Sequence, residues 1–268
     1  MSLSSNAETL IRENRPSEAL EALQAEVRTS PAKPEPRVFL FQLLAVLGDW
    51  TRAQTQLDTL AKLYDDYATF AQLYRQVLIA ERNRADVFAG KATPIVIGEP
   101  APWLAQLIEA QQRDAAAQHA AAAILRQQAL ADAPTCAGQI NEQPFSWLAD
   151  ADSRLGPVLE AHVNGQYRWI PFDKLNSITV QAPESLVDLV WVKAELELAG
   201  GQQTPALIPV RYPGTPAMGG ALAMSRATQW LQPHTDTWVG LGQREFTCDT
   251  AEFALLDVRQ IRFDPVAE

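Results

Sequence analysis

The chain has 268 residues, with 22 Lys and Arg against 32 Asp and Glu and an apolar share of 47%. Its pI near 4.9 and net charge of −10 argue against a phosphate-backbone binder, which would need a basic stripe. Cys136 and Cys248 make neither a disulfide framework nor a zinc knuckle, and no apolar run reaches the ~18 residues of a membrane span.

The opening residues, MSLSSNAETLIREN, lack a basic then apolar leader, so the expectation is a soluble, cytoplasmic protein. NRPSEALEALQAEV from Asn14 and GDWTRAQTQLDTLA from Gly48 lie 34 residues apart. Leu10, Leu44 and Leu78 share one register, Ala19 matches Ala53, and Leu23 matches Leu57. That is the period of a tetratricopeptide helix–turn–helix unit, whose helices bury their apolar sides only against neighbours. Pro31 breaks the helix that carries Leu20, Leu23 and Val27. Pro34 and Pro36 open the next, Arg37–Leu47, which is apolar almost all round and so central in the stack. Phe41 occupies a position that the repeat consensus gives to a small residue. After Gly48-Asp49, the segments Thr51–Leu63 and Tyr67–Asp86 show helical spacing. Gly90–Trp103 reads as a breaker-rich linker. Two Ala-rich helices follow, near 103–112 and 114–131, the first opened by Pro102, and Pro134 closes the array.

Composition then shifts. The first 133 residues hold 13 Lys and Arg against 16 Asp and Glu; the remaining 135 hold 9 against 16, with five of the seven Trp and eleven of the 18 Pro. Val158–Val163 and Gln166–Phe172 alternate apolar and polar around Asn164-Gly165, a two-residue hairpin signature. Ile178–Val180, Leu189–Leu198, Ala206–Arg211, Thr237–Leu241 and Leu255–Phe263 are further strand candidates. Gly200-Gly201 turns between two of them, and Met218–Trp230 reads as a helix or an ordered loop. The expected fold is therefore two-part α+β. A tetratricopeptide-like helical array spans 1–133, and a small mixed, mainly antiparallel β domain spans 134–268. Trp169 and Trp191 are expected in its core; Trp147 and Trp230 stand at element edges, where core and surface anchor are both open. The five Trp of this part together read mainly as core.

Little of this carries chemistry. Asp150 and Asp152 with Arg154 suit acid–base work or a cation site, or more simply an Asp cap or a local ion pair. Gly240-Leu241-Gly242 lacks the third Gly and the strand-then-helix setting of a nucleotide loop, so it reads as a bulge or turn. Pro213–Gly220 reads as a surface connection. The lone Cys residues read as small apolar side chains and His162 as structural filler. His119, His162 and His234 show no metal-ligand spacing. Arg154, Arg168, Arg211 and Arg244 read either as solvated or loosely paired surface side chains or, with Trp nearby, as an Arg–aromatic binding patch. No catalytic residue, cofactor or metal is expected.

Several stretches together resemble the ImpE/SciE (TagJ) family of type VI secretion accessory proteins. They are Leu40–Leu60, Phe88–Trp103, FSWLADADSRLGPVLEAHVNGQYRWIPF (Phe145–Phe172), Pro183–Trp191, LIPVRYPG (Leu207–Gly214), Arg226–Trp230 and GLGQREF (Gly240–Phe246). The resemblance implies a non-enzymatic cytoplasmic adaptor. Its implied partners are the N-terminal helix of the small contractile-sheath subunit and the AAA+ ATPase ClpV, with no nucleic acid and no membrane insertion. It supplies no catalytic residue to carry over. The candidate interaction or family-motif residues are Trp147, Asp150, Asp152, Arg154, Arg211, Tyr212, Gln243 and Arg244. The alternative is a small-ligand protein or enzyme with a site in the C-terminal part, built on Asp150, Asp152, Arg154, Arg211 and Arg244.

Overall fold

The structure, a computed structural model, describes residues 5–234 and 237–265. Five helices open the chain: α1 (Ser5–Arg12), α2 (Pro16–Thr29), α3 (Pro34–Val46), α4 (Trp50–Leu63) and α5 (Ala68–Phe88). Pro16 and Pro34 each occupy a first helical turn, where the missing N–H leaves no hydrogen bond unmade. The Asp49 carboxylate caps α4 by accepting from Arg52 N at 3.1 Å. The repeat register is the packing register: Ala19, Ala53, Leu23, Leu57, Leu44 and Leu78 are all buried, and Leu10 packs against them. Phe41 fits despite its size because it meets Phe70 edge-on at 5.6 Å and Tyr74 at 5.1 Å, favoured aromatic geometries. No described helix is long and apolar enough to cross a membrane.

The linker holds a two-residue strand, β1 (Ile95–Val96), before α6 (Pro102–Ala115) and α7 (His119–Asp132). The strands β2 (Gly138–Ile140), β3 (Gln143–Phe145), β4 (Leu148–Asp150), β5 (Val158–Val163), β6 (Gln166–Pro171), β7 (Leu175–Val180), β8 (Trp191–Leu198) and β9 (Gln203–Pro209) follow. A single-turn helix, α8 (Gly220–Ala223), precedes β10 (Thr228–His234), β11 (Thr237–Gly242), β12 (Glu245–Cys248), β13 (Glu252–Ala254) and β14 (Gln260–Phe263). Nine strands form one sheet in the order β1-β6-β5-β9-β8-β7-β14-β2-β3; β10-β11 and β13-β12-β4 form two smaller sheets. Every pairing is antiparallel except β1 with β6. The β5–β6 turn places Asn164 at φ 51° and Gly165 at φ 73°, the left-handed conformation that the Asn-Gly pair favours.

Several expected boundaries move. The Leu189–Leu198 candidate starts its strand only at Trp191, because a turn at Leu186–Leu189, capped by Ser185, precedes it. Leu255–Phe263 divides into a turn at Leu255–Asp257 and β14. Met218–Trp230 holds the short α8 and then the start of β10, whose outward side chains hide its strand character. The Trp expectation is corrected in part. Trp169 and Trp191 are fully buried, but Trp147 is 40% and Trp238 46% exposed.

The proposed boundary at 133/134 falls between α7 and β2, yet packing crosses it. One core joins α1–α5 to Val187, Trp191, Leu207 and Met224. Another joins Trp103, Leu104 and Leu107 to Leu155, Val158 and Trp169. A third, with Ile170, Phe172, Ile178 and Phe246, belongs to the strand region.

Candidate functional site

Charged side chains converge where α5 meets the large sheet. Arg84 of α5 donates from Nε and Nη2 to both oxygens of Glu160 on β5, at 2.8 and 3.0 Å. Arg84 Nη2 also donates to Arg211 O at 2.8 Å. Glu81, one turn earlier, accepts from Trp191 Nε1 at 2.9 Å and lies 3.0 Å from His162 Nε2. Tyr167 OH donates to Glu160 and itself accepts from Trp169 Nε1 at 2.6 Å. Two parts of the fold thus share one carboxylate.

The same carboxylate meets Arg244 from the other side. Arg244 donates to Glu160, to Asp150 and, from Nε, to Pro209 O at 3.0 Å. Asp150 also accepts from Tyr212 OH at 3.0 Å and Asp152 N at 2.9 Å. Asp152 is gripped by Arg154 Nε at 2.8 Å and Nη2 at 2.5 Å, and by Gly240 N at 3.0 Å. The Arg154 guanidinium lies 4.9 Å from the Phe88 ring centre, a cation–π distance. Arg211 donates to the carbonyls of Val46 (2.5 Å) and Ala223 (2.8 Å) from Nη1, and of Ala45 (3.1 Å) from Nη2. It therefore caps the C-terminal ends of α3 and α8, where the helix dipole favours a cation.

Buried charge is tolerated only when paired and hydrogen-bonded, and the titration directions follow the pairing. Burial raises Glu81, but Arg84 and His162 outweigh it and bring the carboxyl down to about 2. Burial also raises Glu160, yet Arg84 and Arg244 hold it well below the usual carboxylate range. Asp150 goes the other way. Burial pushes it up to about 7, with Asp152 and Glu160 adding to the push and Arg244 opposing it. Arg211 is lowered to about 10 by burial, against the pull of Glu81.

The structure brings together Asp150, Asp152, Arg154, Arg211, Tyr212 and Arg244 of the expected set. Gln243 sits beside them, bonded through Nε2 to Ser225 O at 3.0 Å and through Oε1 to Leu256 N at 3.0 Å. Trp147 stands apart, half-exposed. The expectation of an exposed Arg–aromatic patch is corrected for Arg211 and Arg244, which are buried because backbone carbonyls and carboxylates consume their donors. Glu81, Arg84, Glu160 and Tyr167 were not among the expected residues. Their signal was a helix face running Val77, Glu81, Arg84, Phe88 and a strand carrying Glu160 and His162 on one side between apolar neighbours. Among the described residues, no group of three or more His, Cys, Asp or Glu is arranged to hold a metal ion. A small cleft of about 130 Å³ borders the network, lined by Trp50, Glu81, Arg84, Arg211 and Pro216 among others.

Residues 142–262 match the model of the ImpE protein family, and residues 10–77 match a tetratricopeptide repeat model. A Pseudomonas aeruginosa protein described as type VI secretion system accessory component TagJ is 47% identical over 260 residues. The match covers 97% of this chain and 91% of that protein. The chain belongs to the ImpE family. The ImpE-matched stretch takes in Asp150, Glu160, Arg211 and Arg244, whereas Glu81 and Arg84 lie outside both matched segments. The fold is also that of the crystal structure of protein VPA1032 from Vibrio parahaemolyticus. That chain is 23% identical, with a TM-score of 0.90 and coverage of 97% of this chain and 98% of that one. In this ImpE protein the charged network therefore welds the family-matched region to the helical array.

Proposed function

We propose that this chain is a non-enzymatic cytoplasmic adaptor of a type VI secretion system. It captures the N-terminal helix of the small contractile-sheath subunit and assists handling of the sheath by the ClpV ATPase. Its 47% identity to an accessory component of that system supports the setting. The observation that carries the binding mode is a groove of about 630 Å³ between α1, α3 and the 183–189 segment. Ile11, Phe39, Leu186 and Leu189 line it, with Glu8, Arg12, Gln42 and Glu184 also present. An apolar floor with polar company suits an amphipathic helix laid in with anchors at helical spacing.

The charged network favours binding over chemistry, because its groups are spent on one another. The adjoining cleft of about 130 Å³ is well below the ~300–1,000 Å³ of ordinary ligand pockets. Titrating a labelled peptide of the sheath-subunit helix against the whole chain tests the reading. Saturable binding is expected in the micromolar range, since a free helix orders on binding. Leu186→Glu with Leu189→Glu should weaken it roughly tenfold or more, a loss of about 1.4 kcal/mol, while Ile108→Glu on α6 should not. Absence of saturable binding to the intact chain overturns the proposal.

A further inference from the structure

The β10–β11 hairpin has one closed edge and one open edge. On β11, Trp238 N donates to Ser153 Oγ at 2.9 Å and Trp238 O accepts from Ser153 N at 2.9 Å. Gly240 N reaches Asp152 Oδ2 at 3.0 Å, and Gly242 N reaches Thr215 Oγ1 at 2.8 Å. The backbone groups of Trp238, Gly240 and Gly242 therefore point into the body. By alternation, those of Val239 and Leu241 point to β10, onto their partners Leu231 and Gln229. This leaves the N–H and C=O groups of Thr228 and Trp230 directed outward, along the edge that β11 does not cover.

Natural edges of this kind are blunted by charged side chains. Here the sequence between Arg226 and Arg244 contains a single charged residue, Asp236, in a chain that is 20% charged. Gln229 and Leu231 are exposed on the same strand, and Pro233 with the register shift after Leu231 ends the regular edge. The edge is short, uncharged and able to pair with itself. A two-fold axis near Trp230 sets outward-facing residues of one copy against outward-facing residues of the other.

We propose that the β10 edge is a self-pairing surface. Two copies of the chain join antiparallel about Trp230, with Gln229 of one copy opposite Leu231 of the other, and form a four-stranded sheet, β11-β10-β10-β11, across a two-fold axis. A ladder of so few residues buries well under the ~1,000 Å² of a stable interface, so the dimer is weak, with a dissociation constant on the order of 100 µM. Each copy carries a net charge of −10, so screening by salt strengthens the dimer. The inference does not depend on the sheath-helix reading; if both hold, the dimer presents two helix grooves and binds by avidity.

Sedimentation velocity of the full chain, from about 10 µM to about 1 mM, spans that dissociation constant. The expected result is a concentration-dependent monomer–dimer shift that tightens with added salt. The variant carrying Gln229→Lys and Leu231→Lys should stay monomeric, because Lys faces Lys across the axis. Mixing it with the variant carrying Gln229→Glu and Leu231→Glu should restore a one-to-one heterodimer, which an unfolded hairpin would not do. A chain that stays monomeric throughout overturns the proposal. So does a dimer that survives the paired Lys changes, a mixture that fails to associate, or an edge whose amide protons become protected only with the sheath-subunit peptide.

Discussion

Around Glu160, four guanidinium groups and four carboxylates lie within the seam between α5 and the sheet, while the β10–β11 hairpin shows Leu231 and Trp238 to solvent and has no acidic or basic side chain among its described residues other than His234. Each region inverts the usual distribution, charge inside and apolar outside. The seam does so because its charges are paired with one another or with backbone groups, most of them across distant stretches of the chain. The hairpin does so because its open backbone edge has no strand partner among the described residues. A buried charge network thus marks where the molecule has finished with itself, and an uncharged edge marks where it has not.

The strongest way to break this contrast is Arg244→Met. It leaves Asp150 and Glu160 buried with a guanidinium missing, and stability should fall by about 3–5 kcal/mol in urea unfolding. A loss below about 1 kcal/mol would mean that the seam is packing rather than ion pairing. Acid offers a second probe. Glu81 has an ordinary value of 4.5 and is held at about 2 in the fold. The stability it contributes is complete above about pH 4.5 and is lost as pH falls towards 2, a drop of roughly 3 kcal/mol. Glu81→Gln should remove that part of the acid slope in pH-dependent melting.

Gly240→Ala sharpens the comparison at the point where the regions touch. A Cβ there would sit 2.2 Å from the Tyr212 ring, and Tyr212 holds Asp150. The expected loss is about 1–3 kcal/mol, measured by thermal unfolding, with a flat outcome showing that the hairpin moves freely against the seam. Leu231→Ser should be the mildest change. Its exposed side chain packs on little, so stability should stay within about 0.5 kcal/mol while the monomer–dimer equilibrium alone responds.

The repeat was legible because its period is local and its small residues recur. The β5–β6 hairpin was legible because Asn-Gly needs only its own backbone preference. The seam was not. Arg84 meets Glu160 across 76 residues and Arg211 O across 127, and Arg211 reaches Ala45 O across 166. No spacing rule couples such distances, and a lone Arg in an acidic part defaults to the surface. β10 hid for a different reason: an edge strand with solvent on several side chains lacks the burial that drives alternation.

The seam also dictates an order of events during synthesis. The array from α1 to α5 packs largely through contacts between neighbouring helices, so its local contacts precede those to the sheet. Glu81 and Arg84 then face water with only each other, 3.6 Å apart. Asp150 and Glu160 arrive next, then Trp191 and Arg211, and the ring of charges closes only when Arg244 has been added. Until then the nascent helical half presents an unfinished charged face.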